Sequence, residues 1–221
     1  MPLMISNRDL HDVLSLYFVM GSPDAGSHAP LETIRIALQA GITCFQWREK
    51  GEQSLTGNER VDFAYAARQL CRDYHVPFFV DDDPALALLL KADGIHVGQK
   101  DEQARRVRQK IGNTMWLGVS AHSTEEAEKA LRDGADYIGV GPYKPTQSKN
   151  DAEAPIGDSV IRKLSDEKYP LPMVAIGGVT PDDVPDICSA GASGVAVISA
   201  ISKAKDPAAA VNCFLTKLCK G

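Results

Sequence analysis

The sequence predicts an α/β protein built as a single-domain (βα)8 TIM barrel, and three observations carry that expectation. Eight short apolar runs recur along the chain, each hydrophobic almost throughout, as strands buried on both faces must be. The stretches between them carry helix start and stop signals. The length, 221 residues, accommodates eight compact β-α units, and no linker or low-complexity segment divides residues 1–221. An open doubly wound sheet is the alternative, but no Gly-x-Gly-x-x-Gly follows the first strand, which counts against dinucleotide binding.

Taken in order, the first strand is Leu16–Val19. The apolar segment around it, Leu14 to Met20, is seven residues long and follows Asp9 and Asp12, so it reads neither as a secretion signal nor as a membrane span. A helix stopping at Gly41 leads into Cys44–Trp47. Pro77–Val80 is the third strand; Asp83, just before Pro84, reads as the cap of the next helix. Ala92-Asp93 opens the fourth, Gly94–Val97, and Trp116–Ser120 is the fifth. Ser123-Thr124-Glu125-Glu126 then has the form of a capping box, Ser123 capping and Glu126 reaching back. That helix stops at Gly134, and Ala135-Asp136 enters the sixth strand, Tyr137–Val140. Met173–Ile176 is the seventh. Thr180-Pro181-Asp182-Asp183 places a cap, a proline in the first turn and carboxylates at the positive end of the helix dipole. Gly191 ends this helix, and Ala192-Ser193 leads into the eighth strand, Gly194–Ile198. The repeated entry through alanine and a small polar residue is a weak internal echo of repeated units.

A chain of this length should bury roughly 70–75% of the surface its unfolded form exposes, so no disulfide or structural metal is needed. The formal net charge of −5 argues against nucleic acid as a partner of the whole domain, although basic residues that converge locally still bind phosphates. The cysteines (Cys44, Cys71, Cys188, Cys213, Cys219) are odd in number and lack Cys-x-x-Cys or zinc spacing. Reduced thiols in a cytoplasmic protein are the expected state.

In such a barrel the active site lies at the carboxyl ends of the strands, so the polar residues there are the candidates. Period two along Cys44–Lys50 puts Gln46, Arg48 and Lys50 on one face and Phe45 and Trp47 on the other. The apolar face should meet the helices, turning the polar one into the barrel mouth. There it forms either an internal salt bridge or, with Lys50 added, a seat for an anion. Asp82 and Asp101 end neighbouring strands; they serve either as local caps or as a carboxylate pair for Mg²⁺, which keeps waters and takes phosphate oxygens as well. His96 sits inside a strand and reads as a hydrogen-bonded structural histidine, whereas Ser120 is placed to donate to a phosphate. The loop after the sixth strand, Gly141 to Lys149, carries Thr146, Gln147, Ser148 and Lys149. Gly177-Gly178 lets backbone approach a ligand, and Ile198-Ser199 completes the corner after the last two strands, where barrels bind phosphate. No nucleophile with an adjacent base is legible, so the chemistry rests on electrostatics and positioning.

These residues together resemble the thiamine phosphate synthase family from Gln46 to Ile201. The resemblance rests on Gln46-x-Arg48-Glu49-Lys50, Asp82, His96-Val97-Gly98-Gln99-x-Asp101, Gly118-Val119-Ser120, Gly139-Val140-Gly141-Pro142, Pro145-Thr146-Gln147-Ser148-Lys149, Ala175-Ile176-Gly177-Gly178 and Ile198-Ser199-Ala200-Ile201. It implies a reaction joining hydroxymethylpyrimidine diphosphate to hydroxyethylthiazole phosphate, giving thiamine phosphate and pyrophosphate. It further implies that Gln46, Arg48, Lys50, Asp81, Ser120 and Lys149 hold the pyrimidine diphosphate, with Arg48, Lys149 and Ser120 acting in catalysis. By the same resemblance Asp82 and Asp101 anchor Mg²⁺, and Thr146, Gln147, Ser148, Gly178, Ile198 and Ser199 hold the thiazole phosphate. The partners implied are small phosphorylated molecules, with neither nucleic acid nor membrane, and a homo-oligomer is left open.

Three positions depart from the family pattern. Asp81 stands where asparagine is usual, so it either repels pyrophosphate, joins the metal site or is screened by Lys50. Tyr143-Lys144 replaces an apolar-aromatic pair, and Trp47, in place of leucine, is expected to pack on the helix side. The stretch from Lys144 to Pro155 reads as a mobile lid. The competing readings are a thiazole tautomerase, which has no need of Asp82, Asp101 or Lys149, another sugar-phosphate barrel such as an epimerase, and a silent thiazole phosphate sensor.

Overall fold

The computed structural model describes residues 9–146 and 154–218. Eight parallel strands, β1 (Leu16–Met20), β2 (Cys44–Trp47), β3 (Phe78–Asp81), β4 (Gly94–Val97), β5 (Trp116–Ala121), β6 (Tyr137–Val140), β7 (Met173–Ile176) and β8 (Gly194–Val197), follow one another round a closed barrel. Each pairs with its sequence neighbour, and β8 returns to β1 with Tyr17 opposite Ala196. The expected (βα)8 architecture is therefore the observed one. Strand limits differ from the sequence reading by a residue at most, except that β3 is displaced as a whole: Pro77 precedes it, offering its carbonyl to the Phe45 N–H at 3.0 Å, and Asp81 ends it.

Period two explains the layering. Phe18, Phe45, Trp47, Phe78, Val80, Ile95, Leu117, Ile138 and Val195 face outward into the main core beneath the helices. Tyr17, Val19, Cys44, Phe79, Tyr137, Val174 and Ala196 face inward and fill the barrel. The inner layer is crowded enough that a Cβ on Gly118 would lie 2.1 Å from Tyr137 Cζ and 2.5 Å from His96 Nδ1. Glycine on β5 is thus what makes room for the two polar rings.

The helices begin and end largely as their sequence signals require. Gly41, Gly134 and Gly191 all take left-handed φ where helices stop. Asp83 caps the helix Pro84–Leu90 by accepting from the Leu86 N–H at 2.9 Å. Ser123 caps Thr124–Arg132, but the Glu126 carboxylate reaches the His122 N–H at 2.7 Å rather than the Ser123 N–H, so the box is displaced by one residue. After Thr180 comes a 3₁₀ turn, Pro181–Asp183, before the helix Val184–Ser189. Trp47 is fully buried against the helical layer, with the Arg60 guanidinium 4.9 Å from its ring centroid, as its side-chain direction predicts. One cysteine corrects the expectation of thiols throughout: Cys188 is disulfide-bonded, while Cys44, Cys71 and Cys213 are free. Among the described residues no helix is long and apolar enough to cross a membrane.

Candidate active site

Apart from Gln46, which lies inside the barrel, the candidate residues within the described part of the chain lie at its carboxyl end. Gln147, Ser148 and Lys149, and most of the segment read as a lid, lie outside the described residues. The cleft has two lobes that meet at Thr146, Ile176 and Gly177.

The first lobe is charged. Arg48 and Lys50 extend from β2, Asp81 and Asp82 from β3, Asp101 from the loop after β4 and Ser120 from β5. Arg48 Nε lies 3.5 Å from Asp81 Oδ2, and Lys50 Nζ lies 3.3 Å from the same oxygen. Lys50 also pairs closely with Asp82 and stands 3.9 Å from Asp101 Oδ1, so one ammonium sits among three carboxylates. Asp81 is therefore screened by two cations, and the internal salt bridge expected at the barrel mouth is present. Asp101 is no helix cap: the next helix, Ala104–Ile111, begins after Gln103, and Asp101 Oδ2 instead accepts from the Gly98 N–H at 2.8 Å.

Asp82 is the unusual member. Its φ of 59° is left-handed, a conformation that aspartate tolerates better than most residues, and its N–H donates to the His96 carbonyl at 2.9 Å. Both of its carboxylate oxygens are buried and accept no hydrogen bond among the described residues, although the Lys50 ammonium lies against Oδ2. Arg48, Lys50 and Lys100 match Asp81, Asp82 and Asp101 charge for charge along the described lining. Asp82 Oδ1, which accepts no hydrogen bond among the described residues, and the Asp101 carboxylate beside the same Lys50 are hard-oxygen donors of the kind that Mg²⁺ takes. Among the described residues no cluster of three or more His, Cys, Asp or Glu side chains forms a cage of its own, and a Mg²⁺ held partly by substrate phosphates requires none.

Beneath this lobe runs a buried polar chain. Gln46 Nε2 donates to Tyr17 Oη at 2.8 Å, Tyr17 Oη and Tyr137 Oη lie 2.9 Å apart, Tyr137 Oη is 3.2 Å from His96 Nδ1, and His96 Nε2 is 3.0 Å from Ser120 Oγ. His96 is thus the hydrogen-bonded structural histidine its strand position implies. Burial pushes both phenols well above the usual tyrosine range, so each remains a protonated donor. Sequence reasoning missed Tyr17 and Tyr137. The available signal was their inward parity on otherwise apolar strands.

The second lobe is built from backbone and small residues: Gly177, Gly178, Val179 and the run from Ala196 through Ile198 and Ser199 to Ala200. Tyr143 and Lys144 donate their N–H groups to the carbonyls of Ile176 and Gly177 at 2.8 and 2.9 Å, clipping the loop after β6 to the loop after β7. Gly178 has φ of 66°, and a Cβ there would lie 2.7 Å from the Pro145 carbonyl oxygen. Ile198 precedes the short helix Ser199–Ser202. Lys144 does not line the cleft; its Nζ is 2.5 Å from Asp183 Oδ1.

The family model described as thiamine monophosphate synthase matches residues 16–201. A thiamine-phosphate synthase of Geobacillus thermodenitrificans is 49% identical over 96% of this chain and 95% of its own length, and one of Bacillus licheniformis is 46% identical over 97% and 95%. Among solved structures, the thiamine phosphate pyrophosphorylase of Pyrococcus furiosus superposes with a TM-score of 0.83 at 34% identity, covering 94% of this chain and 96% of that one. A 3-hexulose-6-phosphate synthase, at 17% identity and a TM-score of 0.64, shares the fold alone. With that family model spanning the barrel from its first strand to the short helix after its last, the chain belongs to the thiamine monophosphate synthase family.

Proposed function

We propose that the protein is a thiamine phosphate synthase, a transferase that joins hydroxymethylpyrimidine diphosphate to hydroxyethylthiazole phosphate and releases pyrophosphate. The observation that carries this reading is the continuity of a charged lobe with a backbone-lined lobe through Thr146 and Gly177, which suits two phosphorylated ligands brought together. The relatives' printed names support it.

Arg48, Lys50 and Ser120 bind the diphosphate of the pyrimidine, with Gln46 at the floor beneath it. Screening by Arg48 and Lys50 lets Asp81 sit beside that anion. The resemblance adds Lys149, and for the thiazole phosphate Gln147 and Ser148, to Thr146, Gly178, Ile198 and Ser199 of the second lobe. Asp82 and Asp101 would hold Mg²⁺, which when bound neutralises negative charge on the leaving pyrophosphate. The bond from the pyrimidine methylene to the diphosphate oxygen breaks, and its electron pair leaves with pyrophosphate. The aminopyrimidine ring shares the resulting positive charge, and the thiazole nitrogen lone pair closes the new C–N bond. No proton transfer and no protein nucleophile are required, so Arg48 acts as a fixed cation where charge develops. The acidic net charge supports small phosphorylated molecules rather than nucleic acid as partners, and we place the enzyme in the cytoplasm.

A tautomerase or a silent sensor has no use for the two carboxylates, and the gathering of Asp82 and Asp101 about Lys50 favours the synthase over both. The test is pyrophosphate release by the purified protein with both substrates and Mg²⁺. Release that stops on omission of the thiazole phosphate or addition of a chelator, with matching thiamine phosphate, is expected. Binding of the thiazole phosphate without release would overturn the synthase reading.

A further inference from the structure

We infer that the buried hydrogen bonds from Gln46 through Tyr17, Tyr137 and His96 to Ser120 run in one direction, so that Ser120 presents its hydroxyl proton to the cleft; Tyr17 and Tyr137 are positioning residues for that contact. The inference deepens the reading above and rests on it in one respect, the contact between Ser120 and the diphosphate.

The direction follows from what each group is able to do. An amide nitrogen only donates, so Tyr17 Oη accepts from Gln46 Nε2. The Tyr17 proton then goes to Tyr137 Oη, and the Tyr137 proton to His96 Nδ1. A histidine that accepts at Nδ1 carries its proton on Nε2 when neutral, and Nε2 faces Ser120 Oγ. Ser120 Oγ accepts there, leaving its own proton to point along another direction, towards the cleft that it lines. The reverse order needs the Gln46 carbonyl against Tyr17 and leaves Ser120 donating to His96. Ser120 would then offer an anionic ligand only lone pairs.

Burial makes the order persistent. Gln46, Tyr17, Tyr137 and His96 are 5, 2, 0 and 8% exposed, so bulk water has little access to reset a link, and bonds in such a chain polarise one another. The room for the chain is built into the strands: Gly118 admits the Tyr137 phenol and the His96 ring, and a Cβ on Gly139 would stand 3.2 Å from His96 Cε1.

The experiment is ¹⁵N NMR of histidine-labelled full-length protein, with the His96 signal assigned by its loss in His96→Asn, alongside kinetics of Tyr137→Phe, Ser120→Ala and the double variant. The expected results are the Nε2–H tautomer in the wild type, a mixture of tautomers in Tyr137→Phe, and a fall in kcat/KM of about tenfold for that variant. In the Ser120→Ala background, Tyr137→Phe should cost almost nothing further, which a merely structural tyrosine would not show. If Tyr137→Phe does not fold, Tyr17→Phe breaks the chain one link earlier and should give the same pattern, more weakly. An Nδ1–H tautomer in the wild type, or fully additive losses, would overturn the inference. An Nε2–H tautomer in a wild type that releases no pyrophosphate would support the direction of the chain and overturn the ligand role of Ser120 together with the proposed activity.

Discussion

On the β2–β5 side of the cleft the groups facing the ligand space are charged side chains already paired with one another, whereas on the β7–β8 side they are backbone and small residues. Arg48, Lys50, Asp81, Asp82 and Asp101 hold each other in place before any ligand arrives. The opposite wall is held by main-chain bonds, Tyr143 and Lys144 to Ile176 and Gly177, and by glycines whose φ no side chain favours. A lobe of paired charges is tuned by removing a charge. A lobe of backbone is tuned by adding an atom. The first should respond to metal and ionic conditions, the second to shape.

The largest effect should come from Asp82→Asn. Asparagine tolerates the left-handed φ as aspartate does, so the backbone stays, while one hard anionic donor is lost from the pair with Asp101. We expect the rate of pyrophosphate release to fall by roughly 10²–10³-fold at saturating Mg²⁺. The midpoint of thermal unfolding without ligands should hold or rise, because three carboxylates then no longer share Lys50. Magnesium titrations and melting curves read the two quantities separately. A lower melting temperature with kcat intact would mean that Asp82 is structural and would erase the contrast between the lobes.

Next in size is Gly178→Ala. The added Cβ would meet the Pro145 carbonyl at 2.7 Å and sit on a residue with φ of 66°. Together these should cost about 1–2 kcal/mol of stability. In steady-state kinetics the KM for the thiazole phosphate should rise about tenfold, equivalent to some 1.4 kcal/mol, while the KM for the pyrimidine diphosphate and the Mg²⁺ midpoint stay where they are. A shift in all three would mean that the lobes behave as one body.

How much of this was legible beforehand differs between frame and site. All eight strands were readable because a strand buried on both faces has to be apolar almost throughout. The small errors fall at strand ends: β3 starts after Pro77 and runs on into Asp81, where the pattern turns polar because the cleft begins. Alternation placed Gln46 inward but gave no partner for it. Tyr17 Oη is supplied by a strand 29 residues earlier, and no local pattern joins the two. The Tyr17–Tyr137 contact spans 120 residues and depends on the space left at Gly118, so only the closed barrel reveals it. The carboxylates at the mouth were visible as residues. Screening of Asp81 by Lys50 was among the readings, but the sharing of that lysine with Asp82 and Asp101 was not, since it depends on the ends of β2, β3 and β4 at once.

Lys144 gives the smallest expected effect and the sharpest check on the second lobe. In the sequence it is an added cation beside the loop that carries Thr146, and it reads there as either harmless or a help with phosphate. The fold spends that charge elsewhere: Nζ lies 2.5 Å from Asp183 Oδ1, and Asp183 in turn accepts from the Thr180 N–H and hydroxyl at 2.9 and 2.7 Å. Neither part of the cleft counts the lysine among its lining residues. Partner and position together therefore direct the ammonium to the turn before Val184–Ser189 and away from the ligand space. With an ammonium this exposed the ion pair contributes little, so Lys144→Ala should leave the KM for the thiazole phosphate and kcat within about twofold. A several-fold rise in that KM, reversed in Lys144→Arg, would show that the second lobe recruits a charged side chain after all, and that the two walls of the cleft differ in degree rather than in kind.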